Sequence, residues 1–197
     1  MKTIAIFLFT LLTSTILSSQ NLEQKTLLIS KESQLKISGD TNINSFTCVF
    51  NPQELPEKLS TRFRRNNQTL FFENTSLKLN AKAFDCGSRP INRDFEALIK
   101  AEKYPFIYLN LKELKLQSQN SALISLNIEI AGIKKLYKVP VKIDNLKSNY
   151  TGIIHLNIDD FKLEPPKKVF GLIKVKKEIQ IEFNLTNLLP LNRTDKN

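Results

Sequence analysis

The chain has 197 residues, carries 29 Lys and Arg against 19 Asp and Glu for a formal charge of +10, and is 41% hydrophobic. That length suits one domain, and the apolar fraction is that of a folding chain rather than a disordered one. One His and two Cys cannot build a four-ligand zinc site without carboxylates and leave little for a catalytic triad, so no metal and no cofactor are expected.

Lys2 precedes an apolar stretch from Ile4 to Leu12, and small Ser18 and Ser19 then lead into Gln20. The stretch is too short to span a bilayer and has the order of a secretory signal peptide, so residues 1–20 are predicted to be removed and the mature protein to be periplasmic or secreted. Residues 21–189 are expected to form one domain, and 190–197, with Pro190, Arg193 and Lys196, a flexible tail.

Period-two alternation dominates the mature chain. It marks Leu35 and Ile37; Phe46, Cys48 and Phe50; Leu77, Leu79, Ala81 and Ala83. After a predicted helix it resumes at Ile107, Leu109 and Leu111, at Leu126, Ile128 and Ile130, and at Tyr137, Val139, Val141 and Ile143. Ile154, Leu156 and Ile158, then Ile179, Ile181, Phe183 and Leu185, complete about eight or nine strands. Turns such as the one at Gly132 are too short for parallel crossovers, so the strands should pair antiparallel. For the helix, Asn92 is the expected cap, Phe95, Leu98 and Ile99 share one face, and Pro105 prevents continuation. It would plug one end of the β-structure.

Export makes Cys48 and Cys86 a candidate disulfide, closing a 38-residue separation, since no C-x-x-C spacing suggests a redox pair. Two free buried thiols are the alternative. Strand count and turns leave a sandwich or an up-and-down barrel, and alternation does not separate them.

Specific segments carry a resemblance. Gly39, Thr41, Asn42, Asn44, Phe46 and Cys48 stand in a G-x-T-N-x-N-x-F-x-C order; Phe84-Asp85-Cys86-Gly87, Ile91-Asn92-Arg93-Asp94-Phe95 and Lys100-Ala101-Glu102-Lys103-Tyr104-Pro105 follow. Asp160-Phe161 with Pro165-Pro166, and Gly171-Leu172-Ile173-Lys174-Val175, close the series. In that register the chain resembles the YceI-like proteins of the Bacteroidetes type. The resemblance implies an all-β fold: an antiparallel, lipocalin-like barrel of about eight strands with one or two short helices capping an end. It also implies an isoprenoid-type lipid or similar amphiphile in the lumen. The aromatics that the motifs cluster are then the candidate ligand-binding residues: Phe46, Phe50, Phe84, Phe95, Phe106, Phe161 and Phe170.

Three basic clusters remain: Arg62, Arg64 and Arg65; Lys167 and Lys168; Lys174, Lys176 and Lys177. They suit a solvated face or an anionic membrane surface. No nucleic-acid partner is expected, because export removes it and no recognition helix or RNA-binding motif accompanies the charge. His155 lies between Ile154 and Leu156 and points away from their face, and Asp160 reads as a turn former before Phe161. With no nucleophile elbow or phosphate loop either, the chain is read as a binding protein, with no catalytic residue. An accessory protein with a side-chain-filled barrel that acts through its outer surface is the alternative. Oligomeric state is left open.

Overall fold

The structure, a computed structural model, is described for residues 22–165 and 174–186. Residues 1–20, predicted as a signal peptide, together with Lys167, Lys168, Phe170, most of the second closing motif and the predicted tail 190–197, lie outside the described residues.

Among the described residues eleven strands form one antiparallel sheet: β1 (Leu22–Leu28), β2 (Gln34–Thr41), β3 (Ser45–Phe50), β4 (Lys58–Asn66), β5 (Thr69–Asn80), β6 (Phe84–Asp85), β7 (Phe106–Ser118), β8 (Ser121–Ile130), β9 (Ile133–Asp144), β10 (Asn149–Asn157) and β11 (Val175–Leu185). A single α-helix among the described residues, α1 (Arg89–Leu98), separates β6 from β7. The strand order is β1-β4-β5-β7-β8-β9-β10-β11-β2-β3-β6. β6 follows β5 after the short turn Ala81–Ala83 and pairs with β3 through Val49↔Asp85 and Phe50↔Phe84. The sheet therefore curls until its far edge meets the continuation of β5. With β6 counted as part of β5, eight strands complete that circuit, and β1 with β4 form an added pair on β5.

The expected all-β barrel class is what the chain adopts, with more strands than alternation suggested. β1 and β4 escape the pattern because Gln24, Thr26, Arg62 and Arg64 face outward and polar Lys25 and Thr61 interrupt the inward positions between Leu27, Leu59 and Phe63. Ala81 and Ala83 belong to a 3-10 turn rather than to the strand read through them, and Asn80 Oδ1 accepts from Lys82 N to start it. The helix also begins earlier than expected. Ser88 is its first flanking residue and Pro90 lies in its first turn, where a missing N–H costs nothing. Asn92 is inside the helix, not its cap.

Inward phase is set by the pleat and corrected by bulges. Leu70 and Phe72 point inward on β5, and uninterrupted alternation would next send Asn74 into the core. A bulge between Phe71 and Thr75, with Asn74 at φ 55°, shifts the phase by one residue so that Thr75, Leu77 and Leu79 point in. β7 makes the matching correction between Leu111 and Glu113. The β8–β9 turn is a two-residue Ala131-Gly132 hairpin with both φ values positive, 51° and 76°.

One stretch of wall is held differently. β9 and β10 pair only from Asp144↔Asn149 to Val141↔Gly152, and the ladder ends at Pro140, which has no N–H to donate. Past that point the 3-10 turn Ile158–Phe161 packs against β9, β10 and β11. Tyr137 Oη donates to Asp160 Oδ2 at 2.7 Å, and the Tyr137 and Phe161 rings stack with centroids 6.2 Å apart.

Candidate ligand-binding site

The T-N-x-N segment builds one rim. Thr41 Oγ1 accepts from the N–H groups of Ile43 at 3.1 Å and Asn44 at 2.9 Å, which tightens the β2–β3 turn. The opposite rim is the helix corner. Asp85 Oδ1 accepts from Gly87 N at 3.0 Å and Asn92 Nδ2 at 3.2 Å, while Asn92 Oδ1 accepts from Cys86 N at 2.6 Å. The Gly87 N–H first, and Asn92 second, hold the Asp85 carboxyl below its usual range, because both donors favour the charged form. A Cys48–Cys86 disulfide ties this corner to β3.

Between the rims lies a surface cleft of about 410 Å³, with Phe46, Ile91, Phe95 and Leu98 as its apolar part and Thr41, Asn44, Ser45 and Asp94 at its polar margin. Phe46, Phe95 and Leu98 also line a cavity of about 50 Å³ inside the barrel, so they form the partition between the two spaces. All described residues around that cavity are apolar, Phe84, Ile99, Leu156 and Ile181 among them. Leu35 and Leu109 are shared in turn with a second apolar space of about 160 Å³, partly open to solvent between half-buried side chains such as Leu27, Leu59 and Leu111. Cleft and cavities thus lie in series. By volume the second space matches roughly one benzene-sized group.

Gly39 makes the first partition. It pairs with Phe46 across the β2–β3 ladder, and a Cβ on Gly39 would come within 2.6 Å of the Phe46 ring and of Ile179. The ring therefore lies over the glycine, inside the barrel. Gly152 and Phe183 repeat the arrangement between β10 and β11.

Of the seven phenylalanines singled out in the sequence, Phe46, Phe84 and Phe95 line the cleft or the first cavity. Phe50 is buried behind Phe84 with ring centroids 5.0 Å apart, and Phe161 is sealed against Tyr137. Neither lines the cleft or the two apolar spaces beneath it. Phe106 faces outward, with Lys78 Nζ 3.6 Å above its ring, because its neighbour Ile107 takes the inward position. Phe170 lies outside the described residues.

Most of the wall is aliphatic and is found by strand phase rather than by motif. Phe183, on the wall of the second cavity, shares the inward phase of Ile179, Ile181 and Leu185, and Thr75 reaches the same wall only through the bulge. The basic clusters are partly neutralised: Arg64 pairs with Glu73, Arg65 with Glu23 at 3.8 Å, Lys176 with Asp40 at 3.2 Å and Lys177 with Asp159. His155 is exposed, as its strand position requires. Among the described residues no group of His, Cys, Asp and Glu could hold a metal ion, and no helix is long and apolar enough to cross a membrane.

Comparison with known proteins places this architecture. Burkholderia cenocepacia BcnA superposes with a TM-score of 0.61 at 17% identity, covering 80% of this chain and 98% of that one. A polyisoprenoid binding domain from Saccharophagus degradans implicated in plant cell wall breakdown gives 0.58 at 11% identity, over 85% of this chain and 100% of that one. At these identities the likeness is one of fold. No curated protein matches the chain. The family profile of the YceI-like domain matches residues 30–187, most of the chain, and it spans the rims, the partitions and the walls of both apolar spaces apart from Leu27 and Ile29. The chain belongs to the YceI-like domain family.

Proposed function

We propose that the protein binds an isoprenoid-type or similar amphiphilic lipid along its barrel axis, as a carrier or sequestering protein without catalysis, and that it does so after export. The observation that carries this is the apolar series of cleft, first cavity and second cavity behind residues that only partition it. The neighbour from S. degradans, described as a polyisoprenoid binding domain, supports the ligand class. The disulfide supports an oxidising compartment.

Burial supplies the affinity. At about 0.8 kcal/mol per methylene-sized group, one five-carbon unit contributes on the order of 4 kcal/mol before the costs of association. The two apolar spaces, about 50 and 160 Å³, hold one or two such units with side chains where they stand. A longer chain must swing the rings of Phe46 and Phe95 or lie in the cleft.

Extraction of the protein followed by mass spectrometry is expected to identify an apolar guest, and titration with farnesol to give saturable binding. Protein that carries nothing and ignores farnesol overturns the proposal. One observation favours the second reading, a barrel filled by its own side chains that works through its surface: the space under Phe46 is only about 50 Å³. The same titration decides between them.

A further inference from the structure

The wall of the 160 Å³ cavity is apolar except at one point. Among its described lining residues Thr75 alone is polar, and its Oγ1 lies 2.7 Å from Thr61 Oγ1. Both threonines are more than nine-tenths buried, at 2% and 3% exposure. Two hydroxyls that share one hydrogen bond have one proton too many, because the one that accepts still has its own to donate. Neither hydroxyl makes another hydrogen bond among the described residues. A donor left this way in an apolar interior is a cost that valine, of the same shape, would remove.

The chain takes trouble to put the pair there. On β4, Thr61 occupies the inward phase between Leu59 and Phe63. On β5, Thr75 is inward only because the bulge at Glu73-Asn74 shifts the phase. The β4–β5 ladder ends at Arg62↔Glu73, so the hydroxyls meet just where backbone pairing stops. Stitching the strands together accounts for one hydrogen bond and leaves the second proton unexplained.

We infer that the Thr61–Thr75 hydroxyl pair is a ligand anchor, which donates to a single hydrogen-bond acceptor, such as a ketone, ester or alcohol oxygen, on an otherwise apolar guest. This rests on the lipid-binding reading and deepens it. The guest's acceptor sits beyond Leu35 and Leu109, and its hydrocarbon runs back toward the cleft.

Two probes of matched skeleton and suitable size test this: cyclohexanone, which presents an acceptor, and methylenecyclohexane, which does not. Affinities are read by methyl NMR titration of the wild-type protein, Thr75→Val, Thr75→Ser and the double variant Thr61→Val/Thr75→Val. Both probes are expected to bind the wild-type protein. Thr75→Val and the double variant should lose about tenfold in cyclohexanone affinity, corresponding to about 1.4 kcal/mol, and hold methylenecyclohexane as well as before or better. Thr75→Ser should keep the wild-type ratio. The double variant leaves no orphan hydroxyl, so it reports even where Thr75→Val fails to fold. An unchanged ratio of the two affinities in the valine variants, whatever happens to their melting temperatures, overturns the anchor and leaves lipid binding standing. Failure of both probes to bind the wild-type protein overturns the binding reading and the anchor with it.

Discussion

At the residue scale, two side chains sit in environments whose cost or benefit is measurable. Lys100 follows the end of α1 at φ 56°. The bonds Ala101 N to Glu96 O at 2.8 Å and Lys100 N to Ala97 O at 3.1 Å make this a Schellman ending, whose left-handed position glycine fills without steric penalty. Lys100→Gly is expected to stabilise the protein by about 0.5–1 kcal/mol, part of the gain being offset by the looser unfolded chain, and to raise the melting temperature by about 1–4 °C in calorimetry. Tyr137 is perturbed by its surroundings: burial first, and then the hydrogen bond and charge of Asp160, hold its phenol well above the ordinary value of 10.0. The folded state thus keeps a proton that the unfolded state releases. The associated stability is intact below about pH 10 and falls as the pH rises above it. Between pH 9 and pH 11 the melting temperature of the wild-type protein should therefore decline more steeply than that of Tyr137→Phe. Parallel declines would show that the phenol is not linked to folding.

At the scale of elements, the disulfide joins β3 to the corner that carries α1 over the cleft. A loop of 38 residues closed in the unfolded chain corresponds to about 3–4 kcal/mol in the chain-entropy model. Reduction, or Cys48→Ser with Cys86→Ser, is expected to lower the melting temperature by roughly 6–16 °C. Amide exchange should accelerate first in α1, whose start is tied down at Cys86. How far these elements could be read beforehand depended on phase. From Tyr137 to Ile143, Tyr150 to Leu156 and Ile179 to Leu185 every second residue is non-polar or aromatic and inward, so Val139, Ile154 and Ile181 announce both strand and core. In β4 the inward positions include Thr61, and arginines occupy the outward ones, so nothing in the pattern separates it from a loop. On β5 the bulge reverses the meaning of odd and even positions halfway along, and only the structure shows that Thr75 faces in while Asn74 faces out. The cleft was legible through its motifs, because the T-N-x-N turn and the F-D-C-G corner are local hydrogen-bonding devices. The cavities were not, because they are formed by aliphatic side chains from nearly every strand, and no linear spacing records their volume.

At the scale of the whole molecule, the unfilled interior is the fact to be explained. An apolar space of about 160 Å³ that is walled in part by half-buried side chains such as Leu27, Leu59, Leu77 and Leu111 leaves hydrocarbon in reach of water, and forgoes about 25 cal/mol for each Å² left uncovered. Larger side chains at a few inward positions would recover much of that, so retention of the space points to a guest that fills it. Leu109 is the place to test this, since it lines both apolar spaces. Leu109→Phe places a ring across the partition. It should reduce farnesol affinity at least tenfold while leaving the melting temperature unchanged or higher, a loss of binding without loss of fold. Leu136, 60% exposed on the outer face of β9, gives the matched control, and Leu136→Phe should alter neither quantity. If instead Leu109→Phe binds farnesol as the wild-type protein does, the interior is not where the chain goes, and the cleft between α1 and the β2–β3 turn must hold the ligand alone.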